Sequence, residues 1–153
     1  MKTKILFIIF LLSLSFQCHG EEYRHTQKAE AKALLVEMLN NTIDPFLIIE
    51  ITGTDGYIQF YNEDPGILID LPEVALSGEQ IKKAKAYFAK QGVPLTVTTA
   101  RNPETKEDFS LKTWNRIFHP NEVDKVIDIA FGALIEIYGI SEDTPLNFVK
   151  GWE

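Results

Sequence analysis

The sequence predicts an α+β fold: an antiparallel sheet with packed helices, in the order α-β-β-β-α-β-β-α. Three β-prone runs lie between residues 46 and 71, separated by turns of a few residues, the signature of an antiparallel meander. Segments with apolar residues at helical spacing stand before and after this group. Strands gathered together with helices around them bury a single core in this class of fold.

The first twenty residues read as a cleavable signal peptide. Lys2 and Lys4 precede an almost unbroken apolar run from Ile5 to Leu14, the length of an h-region and short of a bilayer span. Cys18 and Gly20 are small enough for the −3 and −1 positions of a cleavage site, and Glu21-Glu22 opens the polar chain. Lipidation at Cys18 is disfavoured, because Ser15, Phe16 and Gln17 stand where a lipoprotein signal needs a Leu-like residue and small ones. Residues 21–153 then form one α+β domain, exported to the periplasm or secreted, with no membrane insertion after cleavage.

Tyr23 to Asn41 is rich in Ala, Lys, Glu, Leu and Gln and predicts a helix, with Leu34, Leu35, Met38 and Leu39 clustered at helical spacing. Asn40-Asn41-Thr42, which is also an N-glycosylation sequon, ends it, and Asp44-Pro45 forces an extended chain. Phe46 to Thr52, Tyr57 to Asn62 and Ile67 to Leu71 are the three strands, divided by Gly53-Thr54-Asp55-Gly56 and Glu63-Asp64-Pro65-Gly66. Ser77 and Gln80 have the spacing of a capping box opening a second helix, with Ile81, Ala84, Lys85 and Phe88 along one stripe. Gly92 is placed to end that helix and Pro94 to prevent its restart. Leu95 to Thr99 is a fourth strand, Ala100 to Asp108 a polar loop, and Phe109 to Phe118 a fifth strand. The last helix starts at His119-Pro120-Asn121-Glu122, carries Val123, Val126, Ile127, Ala130, Leu134 and Tyr138, and stops at Gly139. A short tail runs to Glu153.

Charge and composition narrow the function. Cleavage after Gly20 removes Lys2 and Lys4 from the 15 basic residues and leaves all 22 acidic ones, taking the net charge from −7 to −9. A chain this acidic is repelled by phosphate backbones and anionic lipid heads, so nucleic acid and membrane surfaces are poor partners, and a basic protein is a compatible one. The same cut removes the single cysteine, so stability must come from a packed core. His25 and His119 stand far apart and outside any metal-ligand spacing, so no metal or cofactor is expected. There is no phosphate-binding glycine loop, dinucleotide fingerprint or nucleophile elbow. Two groups of carboxylates, Asp64, Asp70 and Glu73, and Glu104, Glu107 and Asp108, fall mostly in turns and loops where acids are common. The chain therefore reads as non-enzymatic.

Strand alternation nominates a surface. Ile58 and Phe60 face the core, so Tyr57, Gln59 and Tyr61 share the opposite face, with Asp70, Thr96 and Thr98, and with Glu50 if register permits. In the fourth strand Leu95, Val97 and Thr99 are assigned to the core side. Tyr57, Gln59 and Tyr61, together with Trp114, are the candidate partner-binding residues, since aromatic side chains with polar handles suit interfaces.

Three motifs carry a family resemblance. Gly56-Tyr57-Ile58-Gln59-Phe60 looks like a Tyr-hydrophobic-Gln-Phe strand. Leu71-Pro72 before Leu76-Ser77-Gly78-Glu79-Gln80 looks like a turn into a helix opening with Ser/Thr-x-Glu-Gln. Trp114, with the later Ile137-Tyr138-Gly139-Ile140, looks like an aromatic strand and a Tyr-Gly helix end. Together, from about Gly56 to Leu146, they resemble the TY-Chap family, of type III secretion chaperone-like fold. Lys90-Gln91-Gly92 stands where that family often has Leu-Gly-Trp. The resemblance implies a fold and a habit of binding protein partners, usually as a dimer, and no catalytic residue. The expectation is an exported protein-binding module acting on a protein partner or a second copy. The alternatives are a periplasmic inhibitor or immunity-type protein with a basic partner, and an extracytoplasmic carboxylate hydrolase.

Overall fold

The computed structural model describes residues 2–41, 43–101 and 104–152, with residues 2–20 and Ala100 described through their backbone alone. The elements are α1 (Lys2–Leu39), β1 (Phe46–Ile51), β2 (Tyr57–Glu63), β3 (Gly66–Pro72), α2 (Gly78–Gln91), β4 (Leu95–Arg101), β5 (Asp108–Phe118), α3 (Val123–Tyr138) and β6 (Leu146–Lys150). Short 3-10 turns, Glu73–Ala75 and Pro120–Glu122, precede α2 and α3. The fold is α+β: three helices and a six-stranded, wholly antiparallel sheet in the order β4-β5-β3-β2-β1-β6.

Local chemistry explains where the elements start and stop. The Ser77 side chain accepts from the Gln80 amide while the Gln80 side chain accepts from the Ser77 amide, closing the expected capping box. Gly92 and Gly139 end α2 and α3 in the left-handed region, at φ of 68° and 73°. His119 caps the turn into α3: its ring nitrogen accepts from the Asn121 amide, and the Glu122 carboxylate accepts from the His119 amide.

Two elements differ from expectation. Helix α1 begins at Lys2 rather than Tyr23, because no proline interrupts the chain before Leu39. The expected signal-peptide features, Cys18 included, concern side chains outside those described. The expected tail contains β6, which pairs with β1 over Leu47↔Lys150 to Ile51↔Leu146 and makes the sheet six-stranded rather than five. Thr42 of the sequon, and Asn102 and Pro103 of the expected polar loop, lie outside the described residues.

The core lies between the helices and one face of the sheet. It holds Leu47, Ile49, Ile58, Phe60, Ile67, Ile69 and Leu71 from the strands, against Ala31, Leu35 and Met38 of α1, Phe88 of α2 and Phe131 and Leu134 of α3. Helices α1 and α3 pack over β1, β2, β3 and β6. They are tied to each other by Lys28–Asp128 and Lys32–Asp124 ion pairs at 3.0 and 2.5 Å. The Tyr87 hydroxyl of α2 donates to the Ile129 carbonyl of α3 at 2.8 Å.

Strand β4 corrects one assignment. Leu95 and Val97 point to the helix side, yet they are 43% and 58% exposed. Register places Leu95 beside Trp114, but β4 is an outer strand that lies beyond the helices' footprint.

Candidate partner-binding face

All three helices cover the same side of the sheet, so among the described residues no layer lies over the other side. Cross-strand partners share a face, and the registers Glu50↔Tyr57, Ile48↔Gln59 and Phe46↔Tyr61 place β1's half-buried side chains beside the two tyrosines. On the other flank Gln59 opposes Asp70 and Tyr61 opposes Leu68; Asp70 in turn opposes Asn115, and Leu68 opposes Ile117. Tyr57, Gln59 and Tyr61 are each half-buried by their neighbours within the sheet, and Ile117 is 57% exposed. The Phe46 and Tyr61 rings are 6.5 Å apart and tilted. The expected set of Tyr57, Gln59, Tyr61, Asp70, Thr96 and Thr98 thus falls on one face, and the register brings Glu50 to it.

Asp70 sits at the centre of that face and is only 9% exposed. Its two carboxylate oxygens accept from neutral donors, Nε2 of Gln59 and Oγ1 of Thr113, each at 2.5 Å. Such bonds are what permits a carboxylate to be this buried. Two further bonds lie on the same face: the Thr96 hydroxyl donates to Oδ1 of Asn115 at 2.8 Å, and the Asn147 side chain donates to Glu50 at 3.0 Å. Tyr57 and Tyr61 have raised pKa values, first because they are partly desolvated and then because the Asp70 charge opposes a second negative charge nearby.

Trp114 does not belong to this set. It is 3% exposed and stacks on Phe88 with ring centroids 6.0 Å apart. It neighbours Thr113 in sequence and so points to the opposite side, into the layer between sheet and α2. The Trp114 assignment as a partner-binding residue is therefore corrected to a core one. Leu68, Ile117, Phe46 and Thr113 complete the face and were not singled out from the sequence; the alternation that exposed Tyr57 and Tyr61 carries the same information in β1, β3 and β5.

The structure gives Asp64, Asp70 and Glu73 separate surroundings. Glu73 lies 3.6 Å from Lys112, Asp70 is held by Gln59 and Thr113, and Asp64 lines an open cleft of about 840 Å³ at the β2–β3 turn, with Asp44 and Glu63. Among the described residues, no three or more His, Cys, Asp or Glu side chains are grouped to hold a metal ion, and no helix is long and apolar enough to cross a membrane. The chain matches no protein-family model, and no curated protein and no solved structure matches it.

Proposed function

We propose that the protein is an exported, non-enzymatic, chaperone-like module that binds a protein partner through the uncovered face of its sheet. One observation carries this reading. The three helices pack on a single side, leaving Tyr57 and Tyr61 half-buried by their sheet neighbours and uncovered by any helix. Tyrosine brings apolar area and a hydroxyl at low rotamer cost, which is why it recurs where binding energy concentrates. Beside it, Phe46, Ile48, Leu68 and Ile117 supply apolar surface, while Gln59, Asn115 and Thr96 supply hydrogen-bonding groups. The resemblance to the TY-Chap family agrees with this reading, and the Lys2-to-Gly20 pattern supports export.

A photo-reactive amino acid placed at position 57 or 61, with position 85 on the exposed side of α2 as control, tests the surface in the native host. Adducts are expected from 57 and 61. Adducts from 85 alone would place the partner on the helices and end this reading. N-terminal sequencing of the exported protein tests the leader: the expected first residue is Glu21, and an intact Met1 or a lipid-modified Cys18 would refute it.

A further inference from the structure

The cationic residues of the strands all lie on one face, together with one acid, Asp108. Four strand residues are cationic: Arg101, Lys112, Arg116 and Lys150. Register puts all four on the helix side, Arg116 opposite Ile69, Lys150 opposite Leu47, Lys112 opposite Val97, and Arg101 in alternation with Leu95. Their contacts agree. Lys112 reaches Glu73, Lys150 reaches Glu37 of α1, Arg116 donates to the Gly92 carbonyl at the end of α2, and Arg101 lies near Asp108. The open face holds strand residues of the other sign: Glu50, Glu63 and the buried Asp70.

Asp70 is the unusual member of this set. Ion pairs are the common way to bury a carboxylate, yet Gln59 and Thr113 are neutral, and no Lys, Arg or His pairs with Asp70 among the described residues. Its negative charge is held in place and left uncompensated. Tyr57 and Tyr61 are the diagonal neighbours of Asp70 across the β2–β3 pair, one on each side of Gln59.

We infer that the open face takes a basic partner segment, one whose arginine or lysine docks over Asp70 between Tyr57 and Tyr61 while neighbouring apolar side chains cover Leu68, Ile48 and Ile117. This deepens the proposed function and rests on its choice of face. Charge complementarity decides the occupant. A second copy docked face to face about a two-fold axis would set Glu50, Asp70 and Glu63 against the same acids with no strand cation between them, whereas a basic segment supplies the missing sign.

The test uses two blocked peptides, acetyl-Leu-Arg-Leu-amide and its citrulline counterpart, which keeps the shape of arginine and loses the charge. Amide shifts of the labelled protein are followed by NMR during titration with each. The expected result is perturbation around Tyr57, Asp70 and Thr113, with the arginine peptide bound at least ten-fold more tightly, a preference that shrinks as salt is raised. Asp70→Asn is expected to erase the preference. The citrulline contrast needs no variant, so the test stands even if that substitution unfolds the chain. Equal binding of both peptides at this face would overturn the cation site and leave the proposed function intact. Shifts confined to another surface, or no shifts with either peptide, would overturn the cation site, with the cross-linking at positions 57 and 61 judging the face separately. Perturbation of the face by protein concentration alone would make the occupant a second copy and overturn the inference.

Discussion

The two faces of the sheet are made by the same strands and behave as different materials. On the helix side, Ile58, Phe60, Ile67, Ile69 and Leu71 have no exposure at all. One residue along the chain, Tyr57, Gln59, Tyr61 and Leu68 are half-buried and Asp70 is buried through hydrogen bonds rather than apolar packing. The apolar side resists change because deleting buried atoms leaves a cavity. The open side loses only edge contacts when changed, so it is free to carry recognition. On the proposed reading, stability and binding fall on alternate residues of one strand.

Adjacent residues of β2 give the sharpest test of that division. Phe60→Ala is expected to cost about 3–5 kcal/mol, whereas Tyr61→Ala, which loses a cross-strand contact with Phe46, is expected to cost about 1 kcal/mol or less. Chemical denaturation of the two variants measures both, and equal costs would break the comparison. Leu134→Ala, whose side chain is fully buried in α3, belongs with Phe60, at about 2–5 kcal/mol.

The reverse pattern is expected for binding. Tyr57→Ala with Tyr61→Ala should leave folding nearly intact and weaken partner association by roughly 2 kcal/mol or more. A double variant that folds normally and binds every wild-type partner with unchanged affinity would remove this face as the site.

On the helix side, Ser77→Ala opens the capping box of α2 and is expected to lower stability by about 1 kcal/mol without touching association. Thermal melting read beside a binding assay checks both halves.

The smallest effects are in alkali. Burial raises the Tyr87 and Tyr138 phenols from 10.0 to about 12; the Glu136 and Asp128 charges add to the rise at Tyr87, and the hydrogen bond to the Tyr57 carbonyl opposes it at Tyr138. The unfolded chain releases these protons first, so the stability linked to them is complete below about pH 10 and is lost as pH rises toward 12. Tyr138→Phe, which also removes the hydroxyl's bond to the Tyr57 carbonyl, should flatten part of that decline. On the open face, Asp70→Asn should lower the titration points of Tyr57 and Tyr61, whose secondary cause is the Asp70 charge. Ultraviolet titration of tyrosinate follows both, and unchanged points in Asp70→Asn would disconnect that carboxylate from the tyrosines.

The parts legible in the sequence are those whose causes are local. Ser77 with Gln80, and Gly92 and Gly139, carry their geometry within a few residues. The β1–β3 meander follows from short turns, and the period of two in Tyr57 to Tyr61 sorts the faces without any knowledge of the partners. The misplaced parts depend on distant neighbours. Leu-Asn-Phe-Val-Lys is a strand because β1, almost a hundred residues earlier, offers it an edge. Leu95 and Val97 have a core-like alternation, and only the position of β4 outside the helices explains their exposure. Trp114 is equally suited to core and interface by composition, and the side it takes follows from its register with Leu71 and its stacking on Phe88. The Asp70 network joins three strands, so its carboxylate could be placed on the face but not recognised as buried.

Strand β6 also imposes a timetable. It flanks β1, the strand made soonest after α1, and just beyond it Trp152 joins Lys150 in reaching Glu37 of α1, the indole donating at 2.6 Å and the ammonium at 3.2 Å. A nascent chain that stops short of residue 146 therefore has β1 as a bare edge and α1 without this clasp, however long the preceding strands have been available. Closure of this edge waits for residues 146–152. Loss of β6 would leave the β1 backbone groups on that side free to pair with another strand.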